Sequence, residues 1–462
     1  MTHQLVSTPG QRVRSPLPNS RKSTVLCLIM LLLLPPCALQ ADDYEDERPR
    51  KTATVLPAAL LKGDQWVLGE EAVQKDGLFE FQVQTVWGDF PVFGEAMLRL
   101  RLREFRAVGE LEEVSSTKAA VEGAGRAFSK SFSRLGHAMI HPKQTARAMP
   151  QGTRRLYRKL VRYYDKIKGA LADSDETGDE SLEENGGSGE GAEQAGDNSS
   201  AAAEASVWLA RKYGGVGSKS RRLSRELGVD PYTSNEILAY EIERVAQAQA
   251  VGSVSTKVLL PVLGALGLAA TAANIAYTED WREVFLHNAA LMRDMGVSAE
   301  LIGLFEVNEF FTPMTQVLIV AMLDIMDGVE DRWVVIEQAS LLENESEALF
   351  FLESIMLAEW YHREKIPLDA FITDTLIPVA RTQKGDLVAF TAADFFYWTQ
   401  GAAEVTADFT NTYADHPGGR LLVMADYISP RAKEEVKLLG WEVLSGIRQS
   451  YDVEVPWGIQ DH

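Results

Sequence analysis

Three features of the sequence predict a predominantly helical α+β fold. Residues 78–87 alternate apolar and polar side chains, residues 206–380 carry a succession of capped amphipathic segments, and residues 381–462 run strand, helix, strand, helix, strand. The predicted architecture is a small N-terminal antiparallel β-meander with amphipathic helices, a central helical bundle and a small C-terminal βαβαβ parallel-sheet unit.

The meander is placed in residues 63–122. Phe79, Phe81, Val83 and Trp87 share one face of a half-buried strand, and Glu80, Gln82 and Gln84 share the other. Lys75-Asp76-Gly77 and Trp87-Gly88-Asp89 are turn signals, so Trp66–Leu68 and Phe90–Phe93 become flanking strands. The preceding stretch, 42–62, is polar and then Ala/Leu-rich, and is expected to be a flexible lead-in. Glu95–Val114 fits two periods: Leu98, Leu100 and Leu102 alternate, while Leu98, Leu102 and Phe105 keep helical spacing. Without strand formers beyond Glu112, a helix is predicted.

Residues 123–170 hold twelve basic residues and the single acid Asp165, in a chain of net charge −20. Two amphipathic helices fit. One carries Phe128, Phe132 and Leu135 on a stripe; the other carries Leu156, Leu160 and Tyr164. Arg154, Arg155, Arg158, Lys159 and Arg162 make the second a candidate membrane-surface element. Packing on the domain, docking on anionic lipid and cover by the acidic linker are all compatible with this pattern. Residues 171–205 set eleven acids mainly among Gly, Ser and Ala, with no base. A segment so poor in apolar surface cannot offset its ordering entropy, so it is predicted to be a disordered linker dividing the protein in two.

The helical region spans 206–380. Asp230-Pro231 marks a turn, and Ser234 or Asn235 caps a helix that buries Ile237, Leu238, Ile242 and Val245. Residues 258–277 carry no charge. Burial in a bundle, reversible membrane contact and a true span are all considered for this run, with Leu259, Leu260, Val262 and Leu263 as membrane candidates. Its glycines, alanines and Asn274 lower its hydropathy and favour burial. Ser298 and Thr312-Pro313 start further helices. In the C-terminal unit, 381–462, strands are predicted at 387–391, 420–425 and 441–444, with helices at 393–413 and 429–439 between them.

The N-terminus reads as a cleavable secretion signal over 1–41. Arg12, Arg14, Arg21 and Lys22 precede an apolar run from Val25 to Leu34; Pro35-Pro36 breaks it, and Ala41 suits a cleavage position. An uncleaved anchor is the alternative. The only cysteines, Cys27 and Cys37, lie inside this segment. A mature chain beginning near Asp42 would therefore have no disulfide and no thiolate chemistry. The acidic balance argues against nucleic acid as a partner.

The candidate chemistry is sparse. Gly214–Ser220 lacks the glycines of a phosphate loop, which argues against nucleotide. Glu359 and His362 match half of a di-iron bundle motif without its second half, and Asp324 to Asp331 lacks calcium-loop spacing; no cofactor and no metal are expected. Asp394 and Asp426 follow the first two strands of the C-terminal unit, where open α/β sheets place ligands, and His416 is near in sequence. They are weak catalytic candidates. The plainer reading of Asp394 is the N-cap of the helix that follows it.

Leu227-Gly228-Val229-Asp230-Pro231-Tyr232-Thr233-Ser234-Asn235, Gly63-Asp64 with Lys75-Asp76-Gly77, and Ala393–Trp398 together resemble a family of uncharacterised exported bacterial proteins. The resemblance implies export and the domain order, and no activity. The leading expectation is an exported cell-envelope or periplasmic protein. It would be a non-enzymatic structural or interaction protein that contacts anionic lipid or another envelope protein. Two rivals are an exported hydrolase with its site at the C-terminal strand ends and a periplasmic ligand-binding module with an apolar cavity.

Overall fold

The computed structural model describes residues 44–119, 209–250 and 268–451, apart from 47, 76, 373, 374 and 376. The expected signal, the basic segment 123–170, the acidic linker and residues 258–267 lie outside the described residues. So do the membrane-surface candidates Arg154, Arg155, Arg158, Lys159, Arg162, Leu259, Leu260, Val262 and Leu263.

The first elements are β1 (Arg50–Lys51) and two single-turn helices, α1 (Thr52–Val55) and α2 (Ala58–Leu61). The flexible lead-in expected over 42–62 is thus corrected. Leu56 and Leu60 are buried, and the Trp66 indole N–H donates to the Leu60 carbonyl at 3.0 Å. Two leucines in an alanine-rich stretch are too sparse to register as a period, yet they suffice to anchor it.

The meander follows as β2 (Trp66–Leu68), β3 (Glu71–Lys75), β4 (Leu78–Thr85) and β5 (Gly88–Phe93). Strand β4 is the axis. It pairs with β5 along one edge, while β3 and β2 share the other, all antiparallel. Gly77, at φ +81°, makes the tight β3–β4 connection that only glycine enters without strain. Helix α3 (Glu95–Ala119) settles the two periods of that stretch in favour of the helix. Leu98, Leu102, Phe105 and Leu111 are buried, and Phe105 stacks on Trp87 at 5.9 Å between ring centroids.

Residues 209–213 are helical, and α4 (Ser218–Leu227) ends at left-handed Gly228. Then come α5 (Glu236–Ala250), α6 (Leu268–Thr278), α7 (Trp281–Asp294), α8 (Ala299–Glu306), α9 (Pro313–Ile325), α10 (Trp333–Ser340) and α11 (Glu345–Glu364). Three of the starts follow predicted caps, at Asn235, Ser298 and Thr312. Ser298 accepts from Leu301 N, and Thr312 with Thr315 forms a capping box. Helix α9 is the bundle's centre, with Val317, Leu318, Ile319, Val320 and Leu323 all buried. Helix α6, the described end of the uncharged run, packs against α9, and its Ala272, Ala273 and Ala276 are buried. Small side chains let the two backbones approach. Among the described residues no helix is long and apolar enough to cross a membrane.

The meander, α3 and the helices after residue 209 share one apolar core. Helix α3 lies against α5 and α11. The expectation that 171–205 divides the protein in two is corrected accordingly. Composition shows which stretches have little to bury, but not whether the segments on either side of them pack together.

The C-terminal sheet comprises β6 (Leu368–Phe371), β7 (Val379–Thr382), β8 (Leu387–Thr391), β10 (Arg420–Met424) and β12 (Glu442–Leu444), in the order β12-β10-β8-β7-β6. Strands β8, β10 and β12 are parallel, as predicted, and β7 and β6 add antiparallel neighbours. The unit therefore starts at Leu368 rather than 381. Short β9 (Phe395–Phe396) and β11 (Tyr427–Ile428) form a parallel ribbon beyond the strand ends. Helices α12 (Gln400–Thr412) and α13 (Pro430–Leu438) carry the crossovers, and α14 (Arg448–Tyr451) closes the described chain.

Candidate functional site

Strands β8 and β10 are adjacent and parallel, so the loops that follow them emerge together. Each loop reads Ala-Asp-aromatic: Ala393-Asp394-Phe395 and Ala425-Asp426-Tyr427. The pairing of β9 with β11 holds the two loops in register.

Asp394 is 4 % exposed. Its Oδ2 accepts the backbone N–H of Phe79 at 3.0 Å and of Glu95 at 3.1 Å, and its Oδ1 accepts from Glu95 N at 3.1 Å and from Arg448 Nη2 at 3.3 Å. Glu95 is the first residue of α3. Asp394 thus caps a helix, as its chemistry suggested, but not the one that follows it. Helix α12 starts later than predicted, and Thr399 caps it. Phe395 and Phe396 are drawn into the ribbon, so the intervening residues cannot be helical.

Arg448 is 4 % exposed and meets three carboxylates. Its Nε donates to Asp426 Oδ2 at 2.6 Å, and its Nη1 to Glu353 Oε2 at 2.8 Å, in addition to the contact with Asp394. Beside them, Glu95 pairs with Arg99 at 2.7 Å. Burial pushes Asp394 up to about 8, against the opposing pull of Arg448. Burial likewise raises Asp426. For Arg448 burial acts downward, but the carboxylates of Glu353, Asp426 and Glu95, with Tyr451, hold it well above the ordinary guanidinium value. Glu45 closes the ribbon's outer side: its Oε2 accepts from Trp398 N at 2.7 Å and from Ser429 Oγ at 2.5 Å.

His416 is not brought to this cluster. Its Nε2 lies 2.8 Å from the Gly385 carbonyl, in the turn that leads into β8. That is the opposite end of the strand from Asp394, separated from it by five residues of β8 at about 3.3 Å each. Proximity in sequence was the only link between the two.

A second polar cluster gathers around the Asp230 loop. The carboxylate of Asp230 accepts from Tyr232 N at 2.7 Å and from the Thr312 hydroxyl. Glu104, from α3, accepts from the Thr233 hydroxyl, from Asn235 Nδ2 at 3.0 Å and from Arg101 at 2.7 Å. Glu345 accepts from Arg101 and Ser234, each at 2.5 Å. The N-termini of α5, α9 and α11 converge here, and the positive ends of the three helices favour the three acids. Asn235 accepts from Ile237 N and Leu238 N and is the cap of α5. Burial pushes Asp230 up to about 7. A void of about 20 Å³ lies among Glu104, Asp230, Thr233 and Thr312. That is room for a water, not for an organic ligand. An open depression of about 400 Å³ over Leu304, Val307 and Leu342 adjoins this void, the two sharing Phe310.

The remaining motifs have structural roles. Glu359 is buried against Arg363, and His362 Nδ1 accepts from Leu368 N. Gly217 precedes the first turn of α4. Among the described residues no group of His, Cys, Asp and Glu is arranged to hold a metal ion.

Comparison of the chain with protein-family models, with curated proteins and with solved structures finds no match.

Sequence reasoning missed Glu353, Arg448, Glu95 and Glu104. A signal was present for Glu353, an acid inside the apolar stretch Leu349–Leu357, because a buried acid must be paired. Arg448 carries no such mark: it lies near the C-terminus among polar residues.

Proposed function

We propose that this chain is an exported protein of the cell envelope with a non-enzymatic, structural or interaction role, and that its basic segment 123–170 contacts anionic lipid surfaces. The observation that carries the first part is the commitment of Asp394. Both of its oxygens accept bonds from the chain's own backbone, and Oδ1 also accepts from Arg448. Asp426, the other strand-end acid, is held by the same guanidinium. At the place where an open α/β sheet would bind a ligand, Asp394 joins the N-terminal meander to the C-terminal sheet and Asp426 holds Arg448 instead.

Two features of the sequence support export and surface contact. The order of charge, apolar run, breaker and small residue over 1–41 is that of a secretory signal. The basic residues of 123–170 would each contribute about 1 kcal/mol near an anionic surface. The resemblance to exported bacterial proteins agrees with this reading. Its central stretch, Leu227–Asn235, has structural work: Asp230, Thr233, Ser234 and Asn235 are all bonded within the fold.

The test is co-sedimentation of the mature full chain with vesicles. The reading expects binding to vesicles rich in anionic lipid, none to zwitterionic ones, and loss of binding when Arg154, Arg155, Arg158, Lys159 and Arg162 are all changed to Gln. Equal behaviour with both lipids contradicts the surface-contact part. Recovery of the full-length chain from the cytoplasmic fraction contradicts export.

A further inference from the structure

Residues up to Ala119 and residues from Leu209 onward meet along one seam, and their buried side chains form a shared core. At the strand ends, Asp394 accepts from Phe79 N and Glu95 N, and its own N–H donates to the Gly77 carbonyl at 3.1 Å. The rings of Phe79 and Phe395 lie 4.5 Å apart. Helix α3 continues the seam against α5 and α11. Arg101 of α3 lies 2.5 Å from Glu345 of α11, and Glu104 accepts from Asn235, the cap of α5, at 3.0 Å. Glu104 and Asn235 are each 1 % exposed, so this part of the seam is dry. Near the N-terminus, Glu45 N donates to the Trp398 carbonyl at 2.8 Å, and the Glu45 carboxylate accepts from Trp398 N at 2.7 Å.

An apolar core with hydrogen bonds and ion pairs spread along it is the makeup of an interface between permanently associated chains. The covalent connection contributes little beside it. Ala119 and Leu209 are separated by 89 residues. A tether of that length supplies an effective concentration of about a millimolar at most. None of the bonds just named comes from it.

We propose that residues 44–119 and 209–451 are two pieces of a body that holds together without the chain between them. A cut in that chain then yields one two-chain protein and not two products. The surface made by α5, α11 and the ends of β8 and β10 is a binding site, and its partner is the meander with α3. The affinity resides in the seam.

The full mature chain, with residues 186–192 replaced by the recognition sequence of a sequence-specific protease, supplies the test. After complete cleavage, size-exclusion chromatography at about 1 µM should give one peak that holds both chains at the elution volume of the uncut protein. The urea midpoint should then rise with protein concentration, a dependence absent from the uncut chain, because unfolding now separates two molecules. Arg101→Met takes the cation from Glu104 and Glu345 and should weaken the cut pair by about tenfold or more. Glu345→Gln leaves Arg101 paired with Glu104, should weaken it less, and serves as the test should the Arg101 variant not fold. Arg363→Gln, whose partners Glu359 and Glu364 lie on its own helix, should leave the affinity unchanged. Separate elution or precipitation of the pieces overturns the proposal, as does a midpoint that stays independent of concentration after cleavage. An affinity unmoved by both seam variants overturns it too.

Discussion

The carboxylate of Asp394 accepts the backbone N–H of Glu95 across 299 residues of sequence and so caps the first turn of α3. Helix caps are usually local, because the residue before a helix is already in place. Here the preceding residue is Gly94, at φ +87°, which has no side chain to offer. The first turn is satisfied from another part of the fold. That exchange makes the meander and the C-terminal sheet depend on each other.

Arg448 is central to that dependence. Arg448→Met keeps most of the volume but leaves Glu353, Asp394 and Asp426 without their shared cation. Removing one partner of a buried ionic group typically costs about 3–5 kcal/mol. Urea denaturation should show a loss of that order. A loss below about 1 kcal/mol would mean that the three contacts matter little.

Ala276, fully buried on α6, tests the burial of the uncharged run. Ala276→Leu overfills the interface and should destabilise the protein by about 1–3 kcal/mol. A run lodged in lipid would accept the extra methylenes readily. Thermal melting of the variant in detergent-free buffer distinguishes the two.

Asp230 gives a pH dependence of its own. Burial places it at about 7, above the ordinary carboxylate range, so its contribution is complete at low pH and is lost as pH rises through about 7. Melting curves of wild type and Asp230→Asn should therefore diverge between pH 5 and pH 8, with the wild type losing stability relative to the variant. Thr312→Val removes both the donor to Asp230 and the cap of α9, and should cost about 1–2 kcal/mol.

Local features of the fold were legible in the sequence. The strand of Phe79, Phe81 and Val83, the caps Ser298 and Thr312, and the parallel order of β8, β10 and β12 each rest on a period or a residue type within a short window. What was not legible depends on distance. The pairing of Asp394 with Glu95, and of Arg448 with Glu353, joins segments whose encounter only the folded chain brings about. The same is true of the core that the meander and the helices share: the acidic composition of residues 171–205 says nothing of α3 meeting α5. Asp394 was chosen for the right reason, a carboxylate at a strand end, but the two backbone N–H groups that bond it, of Phe79 and Glu95, come from the far side of residues 171–205.

A double-mutant cycle between Asp394 and Arg448 tests most directly the claim that the strand-end acids hold the fold together. Urea denaturation of wild type, Asp394→Asn, Arg448→Met and the double variant at pH 7 supplies the four stabilities. Removing Asp394 should offset part of the loss caused by removing Arg448, with a coupling of about 0.5–3 kcal/mol. Losses that add within about 0.3 kcal/mol would contradict it, because the two side chains would then act independently.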